Sequence, residues 1–214
     1  MSRLPLFPLG TVLFPGALLP LHVFEERYRR LVRDLLVAPH EERAFGVVAI
    51  REGREVGADG VRALHAVGCV ARLQRAEPYA DGRFDVVTTG AQRFRLDALD
   101  GSRPYLQGEV TLLGEPDGPE VGRLAEQVER AWAGYRDAIG SSDDEAADDA
   151  RALSYLVAAG AVLDLGEKQR LLEAADTATR LRAELGLLRR ETALLGLLPS
   201  LPAVDLTRVP ASPN

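Results

Sequence analysis

The sequence predicts an α+β protein, with a β-rich first half and a helical second half. Three observations carry this reading. Up to about residue 115, apolar and polar residues alternate between Gly and Pro punctuation, as half-buried strands require. Beyond it, Ala, Leu, Glu and Arg dominate and the apolar period becomes helical. Between the two lies the turn-forming cluster Glu115-Pro116-Asp117-Gly118-Pro119. The expected division is a barrel over residues 1–115, a helical bundle over 116–198, and a Pro-rich flexible tail over 199–214.

Leu4 to Phe7 and Leu19 to Val23 read as short strands, each with a Pro suited to an edge or a strand start. A stiff apolar loop, Pro8 to Gly16, lies between them. From Phe24 to Leu36 the period is helical, with Phe24, Tyr28, Leu31, Val32, Leu35 and Leu36 on one face. Glu25 with Arg29, Glu26 with Arg30, and Arg30 with Asp34 are spaced as i,i+4 pairs on the outer face. Phe45 to Ile50 is a continuous apolar run, readable as a buried strand. Alternation continues from Val67 to Gln74, Phe84 to Thr89, Arg93 to Ala98 and Tyr105 to Leu112, with turns at Asp81-Gly82 and Asp100-Gly101. Segments so spaced suggest a small antiparallel barrel or sandwich.

In the second half, Val121, Leu124, Val128, Trp132, Tyr135 and Ile139 line one face of a helix from about Pro119 to Ala138. Ser141 to Asp149 is an acidic loop, and Leu153, Leu156 and Val157 belong to a second helix. A short third helix spans Gly166 to Ala175. Asp176 stands at the N-cap of a long fourth helix carrying Leu181, Leu185, Leu188 and Leu195, which Pro199 and Pro202 stop.

Hydrophobic residues make up 46% of the chain and charged residues 27%, enough apolar material for a core and against wholesale disorder. The single cysteine, Cys69, excludes a disulfide framework, and with His22, His40 and His65 at unrelated spacings it argues against structural zinc. No apolar run reaches the ~18 residues of a membrane span. Pro5, Pro8, Pro15 and Pro20 interrupt any signal-peptide core, so a cytoplasmic location is expected. The net charge of −6 falls entirely after residue 116, since residues 1–116 hold 15 Arg and 15 Asp plus Glu. Neither half has the basic excess of a nucleic-acid binder, although Arg93 and Arg95 together are a candidate local patch.

The apolar loop is the first candidate site. Leu13, Phe14, Pro15 and Leu18 read either as a peptide-binding lip or as side chains that fill the barrel end. Arg93 and Arg95 read either as a grip for phosphates or carboxylates or as a solvated face. His22 lies between apolar residues with no carboxylate or nucleophile placed for it, which favours a packed, hydrogen-bonded ring. Cys69 alternates into the expected core as an inert thiol. Trp132 and Tyr135 read as core, and the acidic run Asp143-Asp144-Glu145 with Asp148-Asp149 lacks the Gly and terminal Glu of a calcium loop.

An ordered series of short motifs points further. Leu4-Pro-Leu-Phe-Pro-Leu9, Val12-Leu-Phe-Pro-Gly16, Leu19-Pro-Leu-His-Val-Phe-Glu25 and Arg27-Tyr28-Arg29 resemble the opening of the Lon protease N-terminal domain. Phe45-Gly46-Val47-Val48, Glu55-Val-Gly57, Val67-Gly-Cys-Val-Ala71, Gly90 to Phe94, Glu167 to Glu173 and Arg180-Leu181 extend the resemblance over residues 3–196. It implies a PUA-like β pseudobarrel followed by a C-terminal α-helical bundle. It also implies a stand-alone domain that recognises unfolded or tagged polypeptides and, in the family, supports assembly of the hexameric protease. The family's ATPase loop would need a Gly-rich run ending in Lys-Ser/Thr, but Lys168, the only lysine, sits between Glu167 and Gln169. The family surrounds its catalytic Ser with a Pro-Lys-Asp-Gly-Pro-Ser-Ala-Gly stretch, to which Glu115 to Gly122, in the turn between the halves, bears only a coincidental likeness. Glu120 stands where the Ser would be, and Pro116 where the Lys of that stretch would be.

The expected function is therefore a non-catalytic protein-binding module for unfolded or degron-bearing polypeptides or a protease partner, without cofactor or metal. The alternative is an RNA-binding PUA-like protein, which the charge disfavours. An enzyme would need a dyad, triad or metal site that the sequence does not display.

Overall fold

The computed structural model describes residues 2–53, 61–141 and 146–197. Within these lie seven strands: β1 (Ser2–Leu9), β2 (Leu18–Val23), β3 (Ala44–Gly53), β4 (Val61–Leu64), β5 (Val67–Pro78), β6 (Phe84–Asp100) and β7 (Gln107–Leu112). Helix α1 (Glu26–Val37) separates β2 from β3. After β7 come α2 (Val121–Ile139), α3 (Ala150–Gly160), α4 (Leu165–Glu173) and α5 (Thr177–Leu197). The acidic run 143–145, Glu55-Val-Gly57 and the tail 199–214 fall outside the described residues.

Strands β1, β7, β6, β5 and β3 pair in that order, and β1 pairs with β3, so the sheet closes into a ring. Strand β1 closes it by changing partner. Its residues Ser2–Pro5 run antiparallel to β7, and Leu6–Leu9 run parallel to β3. Every other pairing is antiparallel. The expected antiparallel barrel is corrected at this one seam, because a parallel partner leaves no mark on a strand's own alternation.

Strand β6 runs unbroken for 17 residues where the alternation suggested two strands. Its first half pairs with β2 and its second with β7, while β5 follows both. Gly90 marks the change. The backbone of Phe14–Ala17 straps across it: Gly16 N–H donates to Gly90 O at 2.8 Å, and Gly90 N–H donates to Ala17 O at 2.9 Å. A Cβ at position 90 would stand 2.0 Å from the Phe14 carbonyl oxygen, so the strap fits only over glycine. The strap is itself a tight turn, closed by Ala17 N–H donating to Phe14 O at 3.1 Å. Pro15 in the second position and Gly16, with φ of 81°, in the third give it the type II signature.

Two apolar layers build the barrel half. Phe7, Leu13, Tyr28, Leu31, Phe45 and Cys69 join the sheet to α1, with Phe7 stacked on Tyr28 at 3.9 Å. Leu6, Val48, Val70, Phe94 and Val110 form the second. Phe24, read as part of the α1 face, precedes the helix and is half exposed. Of the three expected ion pairs on α1, Arg30 with Asp34 forms at 3.0 Å. Arg29 instead reaches Glu26 and the carbonyls of Asp81 and Gly82, and so pins the β5–β6 turn to the helix.

The helical half packs around Leu124, Val128, Trp132, Tyr135, Leu181 and Leu188. Asp176 caps α5 by accepting from Thr179 N–H at 2.7 Å. Thr177 and Ala178 N–H donate to the carbonyls of Pro116 and Asp117, so the turn cluster between the halves is bonded to the start of α5. Phe14, Tyr155, Ala158, Leu171 and Leu172 form a fourth apolar cluster that joins the two halves.

Candidate functional site

The strap divides the candidate loop. Leu13 sits in the barrel core, and Phe14 is 1% exposed with its ring 6.3 Å from that of Tyr155. The lip reading is therefore corrected for these two side chains: the bonds to Gly90 turn Phe14 down into the seam between the halves. Pro15 remains part-exposed at the tip, and Leu18, the first residue of β2, is 70% exposed.

Pro15, Gly16, Ala17 and Leu18 form one wall of a groove of about 570 Å³, within the usual range of ligand sites. The opposite wall comes from α2 through Trp132, Arg136 and Ile139, and from α3 through Ala152, Tyr155, Leu156, Ala159 and Gly160. Ser141 and Ala146–Asp148 complete the rim. The helical period explains the wall. Trp132 follows Leu124 and Val128 on the buried stripe of α2, and its ring edge rests 3.1 Å from where a Cβ on Gly160 would stand. Trp132 stacks on Tyr135 at 5.5 Å, and the Tyr135 hydroxyl accepts from Val162 N–H at 3.0 Å. Both rings are core, as the sequence suggested, but Trp132 also lines the groove. Leu18 and Ile139, two of the exposed large apolar residues of the fold, face this space from opposite sides.

The seam beneath the groove is polar and closed. Arg93 is 1% exposed, which corrects its reading as part of a surface patch: the helical half covers it. Its Nε donates to Glu115 Oε1 at 2.6 Å, and Nη1 donates to the carbonyls of Leu172 and Ala174 at the end of α4. That placement suits a cation, since a helix C-terminus is the negative end of its dipole. Glu115 Oε2 accepts from the Tyr155 hydroxyl at 2.6 Å and lies 3.7 Å from Arg180 Nη2. Arg180 also donates to Leu171 O and Ser154 Oγ and lies 4.1 Å over the Tyr155 ring. Burial pushes the Tyr155 phenol far above its usual range, and the Glu115 acceptor acts in the same direction. Arg95, two residues along β6, is exposed and bound to Asp97 at 2.8 Å. Arg93 and Arg95 therefore do not make a common binding patch.

His22 has a carboxylate that sequence spacing did not reveal. Strand pairing sets Asp85 opposite it, and Nδ1 lies 2.6 Å from Asp85 Oδ1. Arg83, which can only donate, lies 3.2 Å from Nε2, so Nε2 accepts and Nδ1 carries the proton. Tyr79 donates to the other Asp85 oxygen at 2.5 Å. The cluster is hydrogen-bonded as expected but lies on the surface, with the His22 side chain 45% exposed. Cys69 is buried, and burial pushes its thiol up to about 12, away from nucleophilic chemistry. Among the described residues no three His, Cys, Asp or Glu side chains gather to hold a metal ion, and no helix is long and apolar enough to cross a membrane.

Comparison with known proteins places this architecture. Residues 3–190 match the model of the ATP-dependent protease La (LON) substrate-binding domain; no catalytic domain is part of that match. A "Lon protease 2" of Sorangium cellulosum is 30% identical over 211 residues, covering 91% of this chain and 25% of the relative. A Lon protease of Anaeromyxobacter dehalogenans is 28% identical, with 91% and 24% covered. The chain thus spans about a quarter of the length of these relatives. A solved Lon N-terminal domain protein from Xanthomonas campestris superposes with a TM-score of 0.61 at 30% identity, covering 93% of this chain and all of that one. The N-terminal domain of a Mycobacterium avium complex Lon protease gives 0.64 at 19% identity, a likeness of fold, with 90% and 98% covered. The chain belongs to the family of Lon protease substrate-binding domains.

Proposed function

We propose that this domain holds exposed apolar stretches of unfolded or degron-bearing polypeptides in the groove between the strap and the α2–α3 hairpin, and presents them to a protease or keeps them from aggregating. One observation carries the proposal. Leu18, 70% exposed, faces a wall of Trp132, Ile139, Tyr155 and Leu156 across a cleft wide enough for large side chains. Exposed apolar surface in a concave site is the usual basis of such recognition. Family membership supports the class of ligand, and the chemistry offered by the walls is contact rather than catalysis. The RNA reading loses its best candidate contact, because Arg93 is buried against Glu115.

The test is fluorescence anisotropy of a labelled, permanently unfolded polypeptide titrated with the protein across a salt series. A labelled single-stranded RNA is the parallel probe. Leu18→Ser is the variant of choice, since the side chain is exposed and its loss leaves the fold intact. Expected is saturable polypeptide binding that survives salt and weakens several-fold in Leu18→Ser. RNA binding with a steep salt dependence, and none to the polypeptide, would overturn the reading.

A further inference from the structure

We infer that a second groove, between α2 and α5, docks an acidic amphipathic helix of a partner protein. It shares no lining residue with the polypeptide groove and stands apart from it. The helical period places it. On α2, Trp132, Arg136 and Ile139 line the polypeptide groove, whereas Gln127, Arg130, Ala131 and Gly134 recur at i, i+3, i+4 and i+7 on another flank. On α5, Leu185, Leu188, Arg189 and Thr192 repeat that spacing. The two stripes bound a cleft of about 680 Å³, within the usual range of ligand sites. Leu185 and Leu188, on the edge of the bundle core, give it an apolar floor. A Cβ on Gly134 would meet nothing within 4 Å, so the backbone of an incoming helix can come close there. Leu197, one turn beyond the groove-lining Ala193, continues the apolar stripe and is 79% exposed.

The charge of the cleft selects the occupant. Arg130 on α2 and Arg189 on α5 are both exposed and stand on its two rims, and no carboxylate lines it. Neither arginine forms an ion pair or a side-chain hydrogen bond among the described residues. Glu126 and Glu129 precede Arg130 on α2, but neither lines the cleft or bonds either arginine. Arg182, two turns before Arg189, is exposed as well. The next arginine along α5 is in the opposite condition: Arg190 is held by Glu167 and Glu191. Two unpaired cations flanking an apolar floor match a helix whose apolar stripe is bordered by carboxylates on both sides. A second copy of this chain is the poorer match, because a two-fold contact of this face with itself sets arginine against arginine. The charge selection acts within about 10 Å at ordinary ionic strength and fades with salt.

The test uses three labelled helical peptides of about 18 residues, long enough to hold a helix. They share a leucine stripe at helical spacing, bordered on both sides by Glu, Gln or Lys. Each is titrated by anisotropy against the wild type, the double variant Arg130→Glu with Arg189→Glu, Gly134→Leu and Leu18→Ser. Expected at low salt is the order Glu, Gln, Lys in falling affinity, with about fivefold or more between the extremes and convergence at high salt. The double variant should invert that order. Gly134→Leu places its side chain in the open cleft and replaces glycine with a better helix former. It should weaken all three peptides about tenfold or more without lowering the thermal midpoint, while Leu18→Ser leaves them unchanged. Equal binding of the Glu and Lys peptides, or binding indifferent to Gly134→Leu, overturns the inference. So does binding of none of the three, the result if residues 198–214 of the chain itself take the cleft. A dimer of the wild type in sedimentation equilibrium that Gly134→Leu dissociates would give the face to a second copy and overturn the acidic-partner assignment.

Discussion

The seam between the barrel half and the helical half has two ends built on opposite principles. At the closed end, Arg93, Glu115, Tyr155 and Arg180 are withdrawn from water and bonded to one another, and Phe14 fills the space beside them. At the open end, Leu18 and Ile139 stay exposed across an unfilled cleft. Tyr155 belongs to both: its hydroxyl is fixed by Glu115 and its ring lines the groove. The difference teaches that apolar character alone does not mark a binding surface in this fold. Phe14 and Leu18 are four residues apart in one uncharged stretch, and the strap over Gly90 decides which of them is core and which stays exposed.

The comparison breaks most sharply at Glu115. Replacing it with Ala leaves the Arg93 and Arg180 guanidiniums in the interior without their carboxylate. Removing one partner of a buried ion cluster costs about 3–5 kcal/mol. Urea unfolding should show that loss as a lower midpoint at an unchanged slope. A cost below about 1 kcal/mol would mean that the seam is held by its apolar contacts instead.

Phe14→Ala comes next, at about 3–5 kcal/mol if the seam cannot collapse around the lost ring and less if it can. Leu18→Ser, by contrast, should move stability by less than about 0.5 kcal/mol. Thermal unfolding of the two variants side by side measures the contrast directly. Similar losses in both would erase the distinction between closed and open ends.

A smaller effect comes from Glu184, on the buried stripe of α5. Its carboxyl is 1% exposed, neither oxygen has a hydrogen-bond partner among the described residues, and burial raises its pKa well above the usual 4.5 despite the nearby Arg180 charge. The folded protein therefore holds this proton more tightly than the unfolded chain does. Its contribution to stability is fully present below about pH 4.5 and is lost as pH rises toward the folded value. Glu184→Gln should flatten that decline and stabilise the protein at neutral pH by about 1–3 kcal/mol. A pH–stability curve that is the same in both proteins would show that Glu184 is not the group responsible.

Much of this architecture was legible in the sequence. The strands β1, β2, β3 and β5 and the four helices of the second half follow from alternation and helical period, and Asp176 was readable as a cap. What escaped depended on partners distant in the chain. Gly90 read as a break because the strap that demands it lies more than 70 residues earlier. Arg93 read as surface because its partners, the carbonyls at the end of α4 and Glu115, lie more than 20 residues away in the chain. Glu115 read as part of a turn, although it joins both halves. A usable signal was present in α5, where Thr177, Arg180 and Glu184 interrupt the apolar stripe of Leu181, Leu185 and Leu188. Of these, Arg180 belongs to the bonded cluster of the seam. The lining of the groove was not legible, because Trp132 serves as core and as wall at once.

The most direct test of the account uses the one native cysteine being buried and inert, so that a new cysteine can be labelled alone. Leu18→Cys, carrying a benzophenone maleimide, is irradiated with an unfolded polypeptide, beside Leu99→Cys as an exposed site on the far half of β6, outside the groove. The account expects strong crosslinking from position 18, competed by unlabelled polypeptide, and little from position 99. Equal crosslinking from both positions, or none from position 18 while the polypeptide binds, would contradict it.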